Sequence, residues 1–192
     1  QTHAFELEAS RKVANYYNID EHSVIDIDLA QFGGSALTSN EIKMPKGRKI
    51  SEMNDIPATY VPARNTIFLS VALAKAETIN SFDIFIGVNA IDYSGYPDCR
   101  PAFISEFEKL ANLATKEAVQ NKGSYKIHTP LITLSKAEII KKGMSLKVDY
   151  SITSSCYKSN EYGIPCGFCD ACILRKQGFE NARFKDPLDY QW

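Results

Sequence analysis

Apolar residues recur with a helical period near the start of the chain. Within residues 5–17, Phe5, Ala9, Val13 and Tyr16 fall at spacings of four, four and three, and Glu6, Glu8, Arg11 and Lys12 occupy the other side. That pattern predicts an amphipathic helix. The run Val24-Ile25-Asp26-Ile27-Asp28-Leu29 is short and β-branched, which predicts a strand. Residues 33–62 are polar and broken by Gly33-Gly34, Pro45, Gly47 and Pro57. A patternless stretch of that length predicts a functional loop or a lid, with a plain surface insertion as the alternative. Residues 63–76 are apolar almost all round, as in a buried helix opening after Pro62. Residues 83–88 form a continuous apolar run of strand length, the kind covered on both faces in a parallel sheet. Residues 103–119 predict a more amphipathic helix and residues 125–131 a further short strand. Ser135-Lys136-Ala137-Glu138 has the spacing of a capping box, and the helix it opens should stop at Gly143.

Strands alternating with helices predict an α/β domain over residues 1–150, with a mostly parallel sheet and right-handed crossovers. Residues 151–192 lack a regular pattern and are rich in Cys and Gly. They read as a small C-terminal metal-stapled appendage.

Composition narrows the classes. The chain has 192 residues, 44% of them hydrophobic and 23% charged, which excludes disorder. Its 22 Lys+Arg against 23 Asp+Glu give a net charge of −1, so coating nucleic acid is not its main task. No apolar run approaches the roughly 20 residues that a bilayer requires. The odd count of five Cys, clustered towards one end, does not suit a secreted disulfide framework. With no charged-then-apolar leader after Gln1, the expected compartment is the cytoplasm.

Three groups of residues carry candidate chemistry. Cys166, Cys169 and Cys172 form overlapping Cys-x-x-Cys steps, with Cys156 upstream and Gly167 easing the first turn. Four thiolates that converge leave no open position on a tetrahedral cation, which is the pattern of structural zinc. An iron–sulfur cluster is the competing reading. Arg64 and Asn65 open the predicted buried helix, where a guanidinium fork and a helix N-terminus would suit phosphate or carboxylate. The third group is the segment 87–101, which follows a strand end, where ligands collect in α/β sheets. It contains Asp92, Tyr93, Ser94, Tyr96, Asp98, Cys99 and Arg100. A carboxylate can accept adjacent N–H donors of a guanine-like base, and Tyr can cover its π-face. The alternatives are a turn-rich connection with Asp98 as a helix cap, and Cys99 as a packed residue rather than a nucleophile.

The segments YVPARNTIFLSVALA, GVNAIDYSGYPDCRPAFI, PLITLSKAEIIKKG and TSSCYKSNEYGIPCGFCDACILR together resemble the 7-cyano-7-deazaguanine synthase family of queuosine biosynthesis, within the PP-loop ATPases. The resemblance covers essentially the whole chain. It implies a Rossmann-like fold of the HUP (adenine nucleotide alpha hydrolase-like) type, zinc on the four Cys named above, and a homodimer. The implied reaction is that of a ligase, with 7-carboxy-7-deazaguanine, ammonia and ATP with Mg2+ as substrates and the nitrile as product. Arg64 would hold phosphate or the substrate carboxylate, Asn65 would position it, and Cys99 is the covalent candidate. Asp92 or Asp98 would read the base edge, Tyr93 and Tyr96 would stack on it, and Ser94 and Arg100 would support it. Lys136 is a weaker phosphate candidate. The family's Ser-Gly-Gly-x-Asp-Ser pyrophosphate loop does not occur in these residues, and Gly33-Gly34-Ser35 lacks its Asp-Ser ending. The resemblance therefore predicts a longer native chain, extended upstream by roughly 30 to 40 residues, one strand–loop–helix opening. Two other functions fit less well. A sulfur-transfer enzyme acting on tRNA would want a basic surface, and a zinc-binding module without catalysis would leave the α/β body unused.

Overall fold

A computed structural model describes residues 4–53, 55–89 and 95–191. Its helices are α1 (Ala4–Tyr16), α2 (Arg64–Thr78), α3 (Pro101–Ala114), α4 (Lys116–Val119), α5 (Lys136–Ser145) and α6 (Asp170–Ala182). Two strands, β1 (Asp83–Phe85) and β2 (Lys126–His128), are also present. The chain divides into two compact units, Asn54–Ser135 on one side and Gln1–Met53 with Lys136–Trp192 on the other. α5 packs on α6, so Lys136–Ser145 groups with the cysteine-bearing tail.

In the Asn54–Ser135 unit, β1 and β2 pair in parallel, with Asp83 opposite Lys126, Ile84 opposite Ile127 and Phe85 opposite His128. The ladder runs one residue further, where the Ile86 N–H donates to the His128 carbonyl at 3.0 Å. Ile84 and Ile127 face a core with Leu69 of α2 and Phe107 and Ala111 of α3. The expectation that both faces of this run are covered is not met: Asp83, Phe85 and Lys126 on the other face are exposed. There His128 stacks on Phe85 at 4.4 Å and its Nε2 lies 2.6 Å from Asp83 Oδ1.

Side chains of α3 occupy the outer edge of β2. Asn112 accepts the Tyr125 N–H at 2.8 Å and donates to the Tyr125 carbonyl at 2.9 Å, and Glu108 accepts the Ile127 N–H at 2.9 Å. Backbone groups at a sheet edge are thus satisfied without another strand.

The other unit holds α1, α5 and α6. Gly143 does not end α5 but lies inside it, because a Cβ there would come within 2.1 Å of the Tyr150 hydroxyl. The helix closes about one turn later, with Lys147 in the left-handed region, Val148 N–H on the Gly143 carbonyl at 2.9 Å and Lys147 N–H on the Met144 carbonyl at 3.1 Å, a Schellman closure. Residues 24–28 form no strand. They pair with no neighbour among the described residues, and Val24 and Ile25 are 42% and 58% exposed. A β-branched run becomes a strand only where a partner accepts its ladder bonds. No helix among the described residues is long and apolar enough to cross a membrane.

Candidate functional site

The four predicted ligands converge. The Sγ atoms of Cys156, Cys166, Cys169 and Cys172 lie within 4.8 Å of one another, all are buried, and none is in a disulfide. Gly167 at φ +78° makes the turn between the first two ligands of the run. Backbone N–H groups then point at sulfur: Cys166 and Lys158 donate to Cys156 at 3.2 and 3.3 Å, and Cys169 to Cys166 at 3.4 Å. Cys169 also occupies the N-cap position of α6, whose dipole favours negative sulfur. A tetrahedral cation with sulfur at about 2.3 Å sets its ligands about 3.8 Å apart, a spacing that this cluster accommodates. The donor set therefore fits zinc.

Two segments that the cysteine spacing did not reveal hold this cluster. Lys46 forms an antiparallel bridge with Cys169, the Gly47 N–H donates to the Phe168 carbonyl at 2.9 Å, and Arg48 pairs with the buried Asp170. The central part of the polar stretch 33–62 is thus fastened to the metal loop. From the other end, residues 186–191 return over it. Arg175, 6% exposed, holds Asp186 through Nε at 2.9 Å and Nη2 at 3.0 Å and also bonds Thr153 and the Tyr150 carbonyl. Tyr190 donates to Asp186 at 2.6 Å and packs on the cysteine cluster, and the Gln191 N–H donates to the Pro165 carbonyl at 2.9 Å. Lys176 Nζ donates to the Gly167 carbonyl at 2.7 Å and sits 5.1 Å from the Tyr190 ring centroid.

The second group lies in the Asn54–Ser135 unit and brings together Arg64, Asn65, Tyr96, Asp98 and Cys99. Ala63 precedes α2 in the left-handed region at φ 55°, its N–H held by the Tyr60 hydroxyl at 3.2 Å. Arg64, half-buried, is the first residue of the helix. The Asn65 N–H donates to Asp98 Oδ2 at 2.9 Å, and Asn65 Nδ2 donates to the Asp98 carbonyl and to Cys99 Sγ, both at 3.1 Å. Tyr96 lies 3.0 Å from the Thr59 hydroxyl, and its ring is 6.0 Å from that of Tyr60. Arg100 is exposed and immediately precedes α3. Burial raises the Cys99 thiol first and the Asp98 charge raises it further; the Arg64 charge and the Asn65 hydrogen bond act the other way without reversing the shift.

Asp92, Tyr93 and Ser94 lie outside the described residues. Lys136 belongs to the other unit, with its stem against Gly178 of α6. Asn89 was not singled out by the sequence. Its side chain donates to the Leu131 carbonyl at 3.5 Å and to that of Leu134, joining the segments that follow the two strands.

A profile of the family described as queuosine biosynthesis protein QueC matches residues 1–183. A relative from Syntrophotalea carbinolica, named 7-cyano-7-deazaguanine synthase, is 59% identical over 190 residues, which is 99% of this chain and 81% of the relative. A relative of the same name from Syntrophobacter fumaroxidans is 56% identical over 191 residues, covering 99% of this chain and 81% of the relative. One from Myxococcus xanthus is 55% identical over 191 residues, covering 99% and 82%.

Proposed function

The chain belongs to the family of queuosine biosynthesis protein QueC, and from that premise we propose that it is an ATP-dependent ligase that converts 7-carboxy-7-deazaguanine and ammonia to 7-cyano-7-deazaguanine. The observation that carries this reading is identity of 59% to a synthase of that name across 99% of the chain.

The chemistry requires activation twice. A carboxylate oxygen is a poor leaving group, so transfer of AMP from ATP to it, with diphosphate leaving, makes a mixed anhydride that ammonia opens to the amide and AMP. Transfer of AMP from a second ATP to the amide oxygen, with diphosphate leaving again, then lets that oxygen depart as part of AMP while nitrogen loses its protons to give the nitrile. Both steps gather negative charge beside phosphate, where fixed cations and N–H groups contribute most.

In this reading Arg64 faces the phosphate or carboxylate oxygens and Asn65 fixes the first turn of α2. Tyr96 and Tyr93 cover the deazapurine, a carboxylate of the segment 87–101 reads its edge, and Ser94 and Arg100 support the pocket. Cys99, beside Asn65 and under the influence of Arg64, is the covalent candidate. Zinc on Cys156, Cys166, Cys169 and Cys172 would be structural, because four sulfurs leave no position for substrate. The full fold is read as Rossmann-like of the HUP type, the assembly as a homodimer, and Mg2+ as the companion of ATP.

The test is direct. The zinc-loaded protein incubated with the deazaguanine acid, ATP, Mg2+ and ammonia should yield the nitrile by mass spectrometry, with AMP formed in step. AMP without nitrile, or neither product, would reject the reading.

A further inference from the structure

Asp98 is a charged residue at 6% exposure, and its partners account for where it points. Its Oδ2 takes the Asn65 N–H at 2.9 Å, from a residue 33 positions away in sequence. Asn65 reciprocates through Nδ2 to the Asp98 carbonyl and to Cys99 Sγ. Three bonds thus lock the first turn of α2 to the segment that carries Cys99.

The first N–H groups of a helix have no partner within it, and a side-chain acceptor normally comes from the residue just before. Here that residue is Ala63, which has no acceptor to offer. Asp98 supplies the cap from a distant segment, and its charge also suits the positive end of the helix. Reading a guanine edge would make a different demand: both oxygens presented together to two adjacent N–H donors. Oδ2 is committed to Asn65 and the side chain is buried, so Asp98 serves the helix rather than presenting both oxygens to an incoming base.

We propose that Asp98 is a positioning residue, which acts through Asn65 to hold the first turn of α2, where Arg64 stands, beside the segment that carries Cys99, and that it does not itself read the edge of the deazapurine. This rests on the ligase reading above and divides its residues more finely.

Asp98→Ala and Asp98→Asn separate the two roles. Asn keeps a carbonyl oxygen for the Asn65 N–H but cannot offer a carboxylate to a base. Asp98→Ala should lower kcat by about tenfold or more by misplacing Arg64, lower Tm, and speed exchange of the Asn65 amide. Asp98→Asn should restore all three most of the way, with KM for the acid within about threefold of wild type in both variants. The opposite split would overturn the proposal: Asp98→Asn raising KM for the acid by about a hundredfold or more while Tm and amide exchange stay at wild type. Wild-type kcat in Asp98→Ala would overturn it too. If Asp98→Ala does not fold, KM of Asp98→Asn decides alone. Failure of the wild-type protein to make nitrile would reject the ligase reading instead, and would be seen before either variant is compared.

Discussion

Arg64 stands at the first position of α2, on a turn held by Tyr60 and Asp98, so its backbone is placed by bonds that do not involve its own side chain. Replacing it should therefore remove charge without disturbing the fold. Arg64→Ala should reduce kcat/KM by about a hundredfold to a thousandfold, the range for deleting one preorganised donor to developing negative charge. Tm and bound zinc should stay at wild-type values, and unchanged turnover would remove Arg64 from the proposed role. Cys99 answers to a different control. Burial and then Asp98 raise its thiol above the ordinary range, so the thiolate forms only on the alkaline side. Alkylation of Cys99, followed by mass spectrometry, should thus rise at higher pH than for a free thiol. If the thiolate drives a step, the rate should climb over the same pH range and Cys99→Ser should abolish that limb. Full activity in Cys99→Ser at all pH values would end the covalent idea.

At the scale of elements, the strap 186–191 depends on one buried pair. Burial alone would raise the Asp186 carboxyl, but its hydrogen bonds from Arg175, from Tyr190 and from the Leu188 N–H outweigh this and lower it. A lowered carboxyl contributes stability above its unfolded value of about 3.9 and loses it as pH falls through the folded value. The strap should hence stay seated through neutral and mildly acid pH and loosen only below about pH 4. Asp186→Asn should reproduce that loosening at pH 7, seen as faster amide exchange over residues 186–191. Arg175→Ala should cost about 3–5 kcal/mol by leaving Asp186 buried without its cation. Neither latch on the metal loop was legible in the sequence. The Cys-x-x-Cys steps could be read because their geometry is local, whereas Arg48 and Asp170 stand 122 residues apart and nothing in either neighbourhood marks the other. The same distinction explains the elements. Residues 5–17, 63–76 and the first part of 103–119 gave their helices because helical bonds close within the segment. The run 24–29 had strand composition but needed a partner, and Gly143 looked like a stop because the Tyr150 ring that requires it lies beyond the helix. From the sequence Asp98 reads as a local cap for the helix that follows it, but its carboxylate instead accepts the Asn65 N–H in the first turn of α2, 33 residues upstream.

For the whole molecule, the two units rest on different kinds of core. Asn54–Ser135 buries Leu69, Ile84, Phe107, Ala111, Tyr125 and Ile127 around its parallel strands, a hydrophobic core that needs no metal. In the unit formed by Gln1–Met53 and Lys136–Trp192, the buried cluster of Ile140, Phe179 and Ala182 is small, and the other buried cluster consists of the four sulfurs. Structural zinc contributes about 10–16 kcal/mol of binding free energy in small domains, comparable to the roughly 5–15 kcal/mol by which a whole domain is stable. Removing the metal should therefore act on one unit and spare the other. Chelation of the zinc-loaded protein should abolish or sharply lower one calorimetric transition while the second moves by no more than about 2–4 °C. Amide exchange should assign the lost transition to α5, α6 and residues 46–48. Tyr125 and Ile127, sealed by Asn112 and Glu108, should keep their slow exchange. A single transition that falls as one would mean that the metal site supports the molecule as a whole, and one that ignores chelation would mean that the four sulfurs hold no structural ion.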